Sequence, residues 1–144
     1  MAERDSTELY DDVLGRVARG DYGDWEAAVP FAGTTVAASL CEGDDPSAEI
    51  ELVRGLVARL VEVDRAAREF AARRHAEFQR GAGRSADPVK LAAWMRLDAI
   101  TVMDDPRFTL TYRDGGAIGA AAIYVDLDAD GAPVDADFRP RLGS

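Results

Sequence analysis

The chain has 144 residues, 47% of them apolar, with 27 acidic and 17 basic residues and a formal charge of −10. That balance suits one folded globular domain rather than a disordered segment. It disfavours nucleic-acid binding, because a phosphate backbone must be met by Lys and Arg. The lone Cys41 excludes an internal disulfide and suits a reducing compartment.

The first twelve residues are charged and lack an apolar centre, unlike a secretory signal. The longest uncharged run, 27–41, is short and broken by Pro30 and Gly33, so no bilayer span is expected. These features predict a cytoplasmic protein with no membrane partner. The charge is uneven: residues 1–45 sum to −8, 46–79 to zero, 80–96 to +3, 97–137 to −7 and the tail to +2.

Residues 6–19 read as a short helix. Ser6 or Thr7 can cap it, Leu9, Val13 and Val17 share a face, and Gly20 ends it. Residues 25–40 alternate as a β-hairpin with Ala32–Gly33 at its turn, and Pro30 marks its first strand as an edge. Asp45–Pro46 then starts a long helix. Its apolar stripe of Val53, Leu56, Leu60, Val63, Ala67, Phe70, Ala71 and Phe78 is long for so small a globule, so the helix bends, breaks or overhangs, and a break, if there is one, belongs near Asp64. Residues 81–86 form a loop, and Asp87–Pro88 opens a second, short helix ending near Arg96.

The stretch 97–137 organises the rest. Residues 97–103, 108–112 and 117–125 are strand-like, separated by turns at 104–107 and at Asp114–Gly115–Gly116. Residues 117–125 are small and apolar on both faces, as in a central strand, and 134–138 add a short edge strand. The expected fold class is α+β: one domain over 1–144, core 6–138 and tail 139–144. An antiparallel β-meander of about five or six strands packs against a long helix plus shorter helices.

No strong catalytic or cofactor motif is present. Asp126, Asp128, Asp130 and Gly131 occupy positions one, three, five and six of a calcium-loop pattern, with Asp137 at twelve. A strand precedes this segment where an entering helix belongs, and Pro133 at position eight lacks an N–H, so an acidic turn is the simpler reading. Calcium at Asp126, Asp128, Asp130 and Asp137 is the one metal the sequence suggests. The only histidine, His75, stands between Arg73–Arg74 and Phe78 with no nucleophile beside it, and reads as a packed or solvated side chain. Acidic neighbours argue against a reactive Cys41 thiolate. Arg65, Arg68, Arg73, Arg74, Arg80 and Arg84 read as a solvated basic helix end, and Trp25 and Trp94 as core or interface residues. A hydrolase would need carboxylates such as Asp98, Asp104 and Asp114 to converge.

The runs WEAAVPFAG (25–33) and TVAASL (35–40), the long helix, LDAITV (97–102), FTLTY (108–112), DGG (114–116) and GAAAIYV (119–125) resemble an uncharacterised bacterial family, the domain of unknown function twenty-two sixty-two. The resemblance covers about residues 8–138. That family tends to carry an aromatic–Gly–His step near its last main strand. Here Ile118–Gly119–Ala120 stands in its place, so no catalytic role carries over. By analogy with similar small acidic proteins encoded beside bacterial toxins, the resemblance implies an immunity-type inhibitor. The expectation is therefore a non-enzymatic module that binds a basic protein through Asp104, Asp105, Asp114, Asp126, Asp128 and Asp130, with calcium- or small-ligand sensing as the alternative.

Overall fold

The computed structural model describes residues 8–20, 23–104, 107–116, 118 and 120–140. Alternation of apolar and polar residues builds its sheet. In the strand Trp25–Phe31, Trp25, Ala27 and Val29 are buried while Glu26, Ala28 and Pro30 are exposed. In Phe108–Arg113, Phe108, Leu110 and Tyr112 are the buried set. One face of each strand thus joins a common core, and the other is left to solvent.

In chain order the elements are β1 (Glu8–Asp11), β2 (Gly15–Arg19), β3 (Trp25–Phe31), β4 (Thr34–Ser39), α1 (Ser47–Val57), α2 (Leu60–Gly81), α3 (Pro88–Trp94), β5 (Arg96–Val102), β6 (Phe108–Arg113), β7 (Ala120–Leu127) and β8 (Pro133–Pro140). The eight strands form one sheet in sequence order. All neighbours are antiparallel except β4 and β5, which run parallel, with Ala37 opposite Ala99 and Ser39 opposite Thr101. The sheet is therefore two four-stranded meanders joined by one parallel ladder. The three helices form the crossover that such a ladder requires. The α+β class and the long helix hold; the expected five or six strands become eight, and the sheet is not wholly antiparallel.

Four further expectations need correction. The described part of 6–19 is the β1–β2 hairpin, with Leu9 opposite Val17, not a helix. The Asp11 carboxylate accepts from the Val13 and Leu14 amides, both at 2.9 Å, and these bonds, Leu14's foremost, lower its pKa. Strand β3 is internal. It pairs with β2 from Trp25 to Ala27, and Pro30 lies beyond that ladder, where its missing N–H costs nothing. The helix break falls at Ala58–Arg59, where Arg59 leaves helical geometry at φ −120° and sends Nη1 to the Asp130 carbonyl at 2.8 Å. The last strand is a full eight residues and takes in Arg139 and Pro140, assigned to the tail.

The hairpin turn at Ala32–Gly33 is as expected, with both residues at positive φ (52° and 79°). Helix α2 packs along β8 and β7, with His75 stacked near Phe138 at 5.5 Å between ring centroids. Asp64 lies near the N-terminal end of α2 and is buried. Its Oδ1 accepts from the Tyr112 hydroxyl at 2.7 Å and its Oδ2 from Arg68 Nε at 3.0 Å. Arg68 Nη1 also donates to the Ala92 carbonyl at 2.8 Å. One hydrogen-bonded unit thereby links β6, α2 and α3.

Candidate functional site

Strand directions decide where the acidic turns meet. The parallel β4–β5 ladder sets the C-terminal ends of β4 and β5 side by side, so four connections emerge at one end of the sheet: β2–β3, β4–α1, β5–β6 and β7–β8. They bring Asp24, then Glu42, Asp44 and Asp45, then Asp104, then Asp128 and Asp130. From the first of these turns to the last is five strand spacings, or about 24 Å. That width matches the face a small protein presents in a standard interface.

The cations at this end are held by the protein's own groups. Arg19 Nη2 contacts Asp44 Oδ1 at 3.1 Å and the Gly43 carbonyl, while its guanidinium carbon lies 5.3 Å from the Trp25 ring centre. Arg59 is held by the Asp130 carbonyl and Arg107 by the Met103 carbonyl. Backbone geometry fixes several of the acids. Asp128 Oδ1 accepts from the Asp130 and Ala132 amides, both at 2.9 Å, which closes the β7–β8 turn. Asp45 Oδ1 accepts from the Ser47 hydroxyl and amide, and these bonds lower its pKa.

The expected partner-binding residues divide. Asp104, Asp128 and Asp130 lie at the acidic end; Asp105 lies outside the described residues. Asp114 sits at the opposite end, 3% exposed, accepting from the Gly116 and Ile118 amides at 2.8 and 3.0 Å, so it holds a turn and presents no charge to a partner. Asp126 is inside β7 on the open sheet face, bonded to the Thr109 hydroxyl at 2.9 Å. Asp24, Glu42 and Asp44 carry no sequence signal beyond the −8 charge of residues 1–45, and Asp45 reads there only as a helix start.

The calcium-loop pattern is laid out along a β-hairpin. Asp126 is paired with Asp135 across the ladder, Asp128 faces its own turn amides, and Asp137 meets Arg139 Nε at 2.7 Å. Among the described residues no group of three or more His, Cys, Asp or Glu side chains is placed to share a metal ion. Asp98, Asp104 and Asp114 do not converge: Asp98 pairs with Arg113 on the open face at 3.5 Å, and the other two are at opposite ends of the sheet.

The Cys41 thiol is half-buried. Burial pushes its pKa up first, and Glu49 adds to that, so it stays protonated near neutrality. On the open face, Ala28, Ala37 and Ala99 share a row with Thr111 and Tyr124 and floor a shallow groove. No helix among the described residues is long and apolar enough to cross a membrane. Comparison with protein-family models, curated proteins and solved structures gives no match.

Proposed function

We propose that this protein is a non-enzymatic binding module that engages a basic protein partner through the acidic end of its sheet. The observation that carries the reading is the gathering of Asp24, Glu42, Asp44, Asp45, Asp104, Asp128 and Asp130 on four neighbouring connections, with Arg19, Arg59 and Arg107 bonded to the protein's own carbonyls. A face of one sign steers an oppositely charged partner and raises its association rate. The resemblance to the bacterial family of unknown function points the same way, toward an immunity-type inhibitor of a basic toxin in the cytoplasm.

The test uses affinity capture from the native host, then binding kinetics with the recovered partner. The fourfold variant Asp24→Asn, Asp44→Asn, Asp104→Asn, Asp130→Asn should slow association about tenfold or more at low salt, and should flatten its salt dependence. A partner whose association ignores both salt and the four substitutions would refute docking by the acidic end. A captured basic toxin that this protein neutralises on co-expression would establish the immunity role.

A further inference from the structure

The charge of the chain is reversed in one region. Between residues 65 and 96 eight Lys and Arg side chains face three acids, in a protein of net charge −10. A cavity of about 380 Å³ opens there between the second half of α2, the 82–87 loop and α3, within the size range of small-ligand sites. His75, Gln79, Arg84, Ser85, Asp87 and Lys90 supply its polar wall.

The hydrogen bonds of that wall assign its protons. Arg84 Nε reaches Gln79 Oε1 at 2.5 Å, and Gln79 Nε2 lies 3.1 Å from His75 Nε2. A guanidinium only donates, so the amide oxygen must face Arg84 and the amide NH₂ must face the imidazole. His75 Nε2 then accepts, and its proton sits on Nδ1. Burial draws the His75 pKa below its usual value and favours the same neutral ring.

Arg84 is tied to Gln79 a second time, its amide donating to the Gln79 carbonyl at 2.8 Å. The guanidinium is thus anchored at Nε with its two terminal nitrogens left for another acceptor. Lys90 also lines the cavity, with its ammonium 5.4 Å from the Trp94 ring centre. Elsewhere Arg16, Arg19, Arg54, Arg68, Arg74, Arg113 and Arg139 each meet a carboxylate, while among the described residues Arg59, Arg65, Arg73, Arg80, Arg96 and Arg107 do not. Among the described residues neither Arg84 nor Lys90 does. The one carboxylate on the wall, Asp87, has Oδ1 occupied by the Val89 and Lys90 amides.

The Arg84 guanidinium, the Lys90 ammonium and the Ser85 hydroxyl are donors on the wall of one cavity, against the single carboxylate of Asp87. We propose that this cavity binds a small oxyanion, a phosphoryl or carboxylate group, between Arg84 and Lys90. The site is separate from the acidic end and does not depend on the protein-binding role proposed there.

Because His75 is the only histidine, its ring nitrogens give a single pair of NMR signals from inside the cavity. The experiment titrates the full chain, ¹⁵N-labelled at histidine, at pH 7.5 and constant ionic strength. One arm uses inorganic phosphate, the other acetate. The free protein should show an unprotonated Nε2 and a protonated Nδ1. At least one anion should then shift these signals saturably, and the arm that saturates names the chemistry. Arg84→Gln and Lys90→Gln should each raise the half-saturation concentration about tenfold, the loss of one charge-assisted bond. Lys90→Gln leaves the Gln79 relay intact, so it remains informative if Arg84→Gln alters the free ring. Arg16→Gln, on the open sheet face, should change nothing. Shifts that stay linear for both anions, or variants that titrate like the parent, overturn the proposal.

Discussion

Replacing Tyr112 by Phe keeps the ring in the core and deletes one hydroxyl. That hydroxyl is the donor to Asp64 Oδ1 at 2.7 Å, in a site where both residues are buried. A hydrogen bond to a charged group contributes about 1.5–3 kcal/mol, and Asp64 keeps only its Arg68 bond when it is lost. At about 2.1 cal/mol/K per residue, the unfolding entropy of 144 residues is about 0.3 kcal/mol/K, so the melting temperature should fall by about 5–10 °C at pH 7. A second reading comes from alkali. Burial first, and then the Asp64 carboxylate, holds the Tyr112 phenol well above its usual pKa. The folded state therefore keeps a proton that the unfolded state releases above about pH 10. This contribution is complete below pH 10 and is lost as pH rises through it, at about 1.4 kcal/mol per unit. Urea unfolding at pH 7, 9, 10 and 11 should show the parent losing its advantage over Tyr112→Phe as pH climbs. A melting difference under about 1 °C at pH 7, or a gap that stays constant to pH 11, would refute the argument.

Glycine and turn chemistry yield two more expectations, both read by chemical denaturation. Gly115→Ala should destabilise by more than about 2 kcal/mol, because φ is +67° and the new Cβ would stand 2.7 Å from the Trp94 carbonyl oxygen. Gly131→Ala, at φ +82° and 3.3 Å from the flexible end of Arg59, should cost about 1 kcal/mol, so equal losses would undo the steric explanation. Asp128→Ala removes two amide partners and should cost about 1–2 kcal/mol, whereas Asp130→Ala should stay within about 0.5 kcal/mol. The reverse order would mean that the turn is held by something other than the Asp128 carboxylate.

The elements legible in the chain were those whose pattern has one solution. The β3–β4 hairpin follows from strict alternation around Ala32–Gly33, and the helix starts from Asp–Pro pairs: Asp87 Oδ1 does accept from the Val89 and Lys90 amides. The β1–β2 hairpin is not legible, because Leu9, Val13 and Val17 stand four apart, which serves a helix face equally well. The deciding contacts, Asp11 on its own turn and Leu9 against Val17, depend on Gly15 adopting φ +74°. Length against the size of the globule signals a break in the helix but not its place, and Asp64 is instead continuous helix. Tyr112 and Arg68 satisfy its charge from a distant strand and the next turn, and no local pattern foretells the strand partner. At the acidic end, Asp104, Asp128 and Asp130 are legible as acidic turns between the strand-like runs. Their company with Asp24 and Asp44 follows from the parallel ladder, which joins residues roughly sixty apart. The Arg84–Gln79–His75 relay, in contrast, is local, but no sequence pattern marks it: a histidine beside two arginines reads equally well as packed or solvated.

That parallel ladder also bears on how the molecule assembles. Within each meander, partner strands are linked by short connections and can find one another early. The β4–β5 pairing must instead close a loop of roughly sixty residues, at about 3.7 kcal/mol of chain entropy beyond the constant term. Two half-sheets can thus form independently and meet last, with the helices already folded across the gap. The seam between them is where a slow folding phase would arise and where exchange of halves between two chains is cheapest.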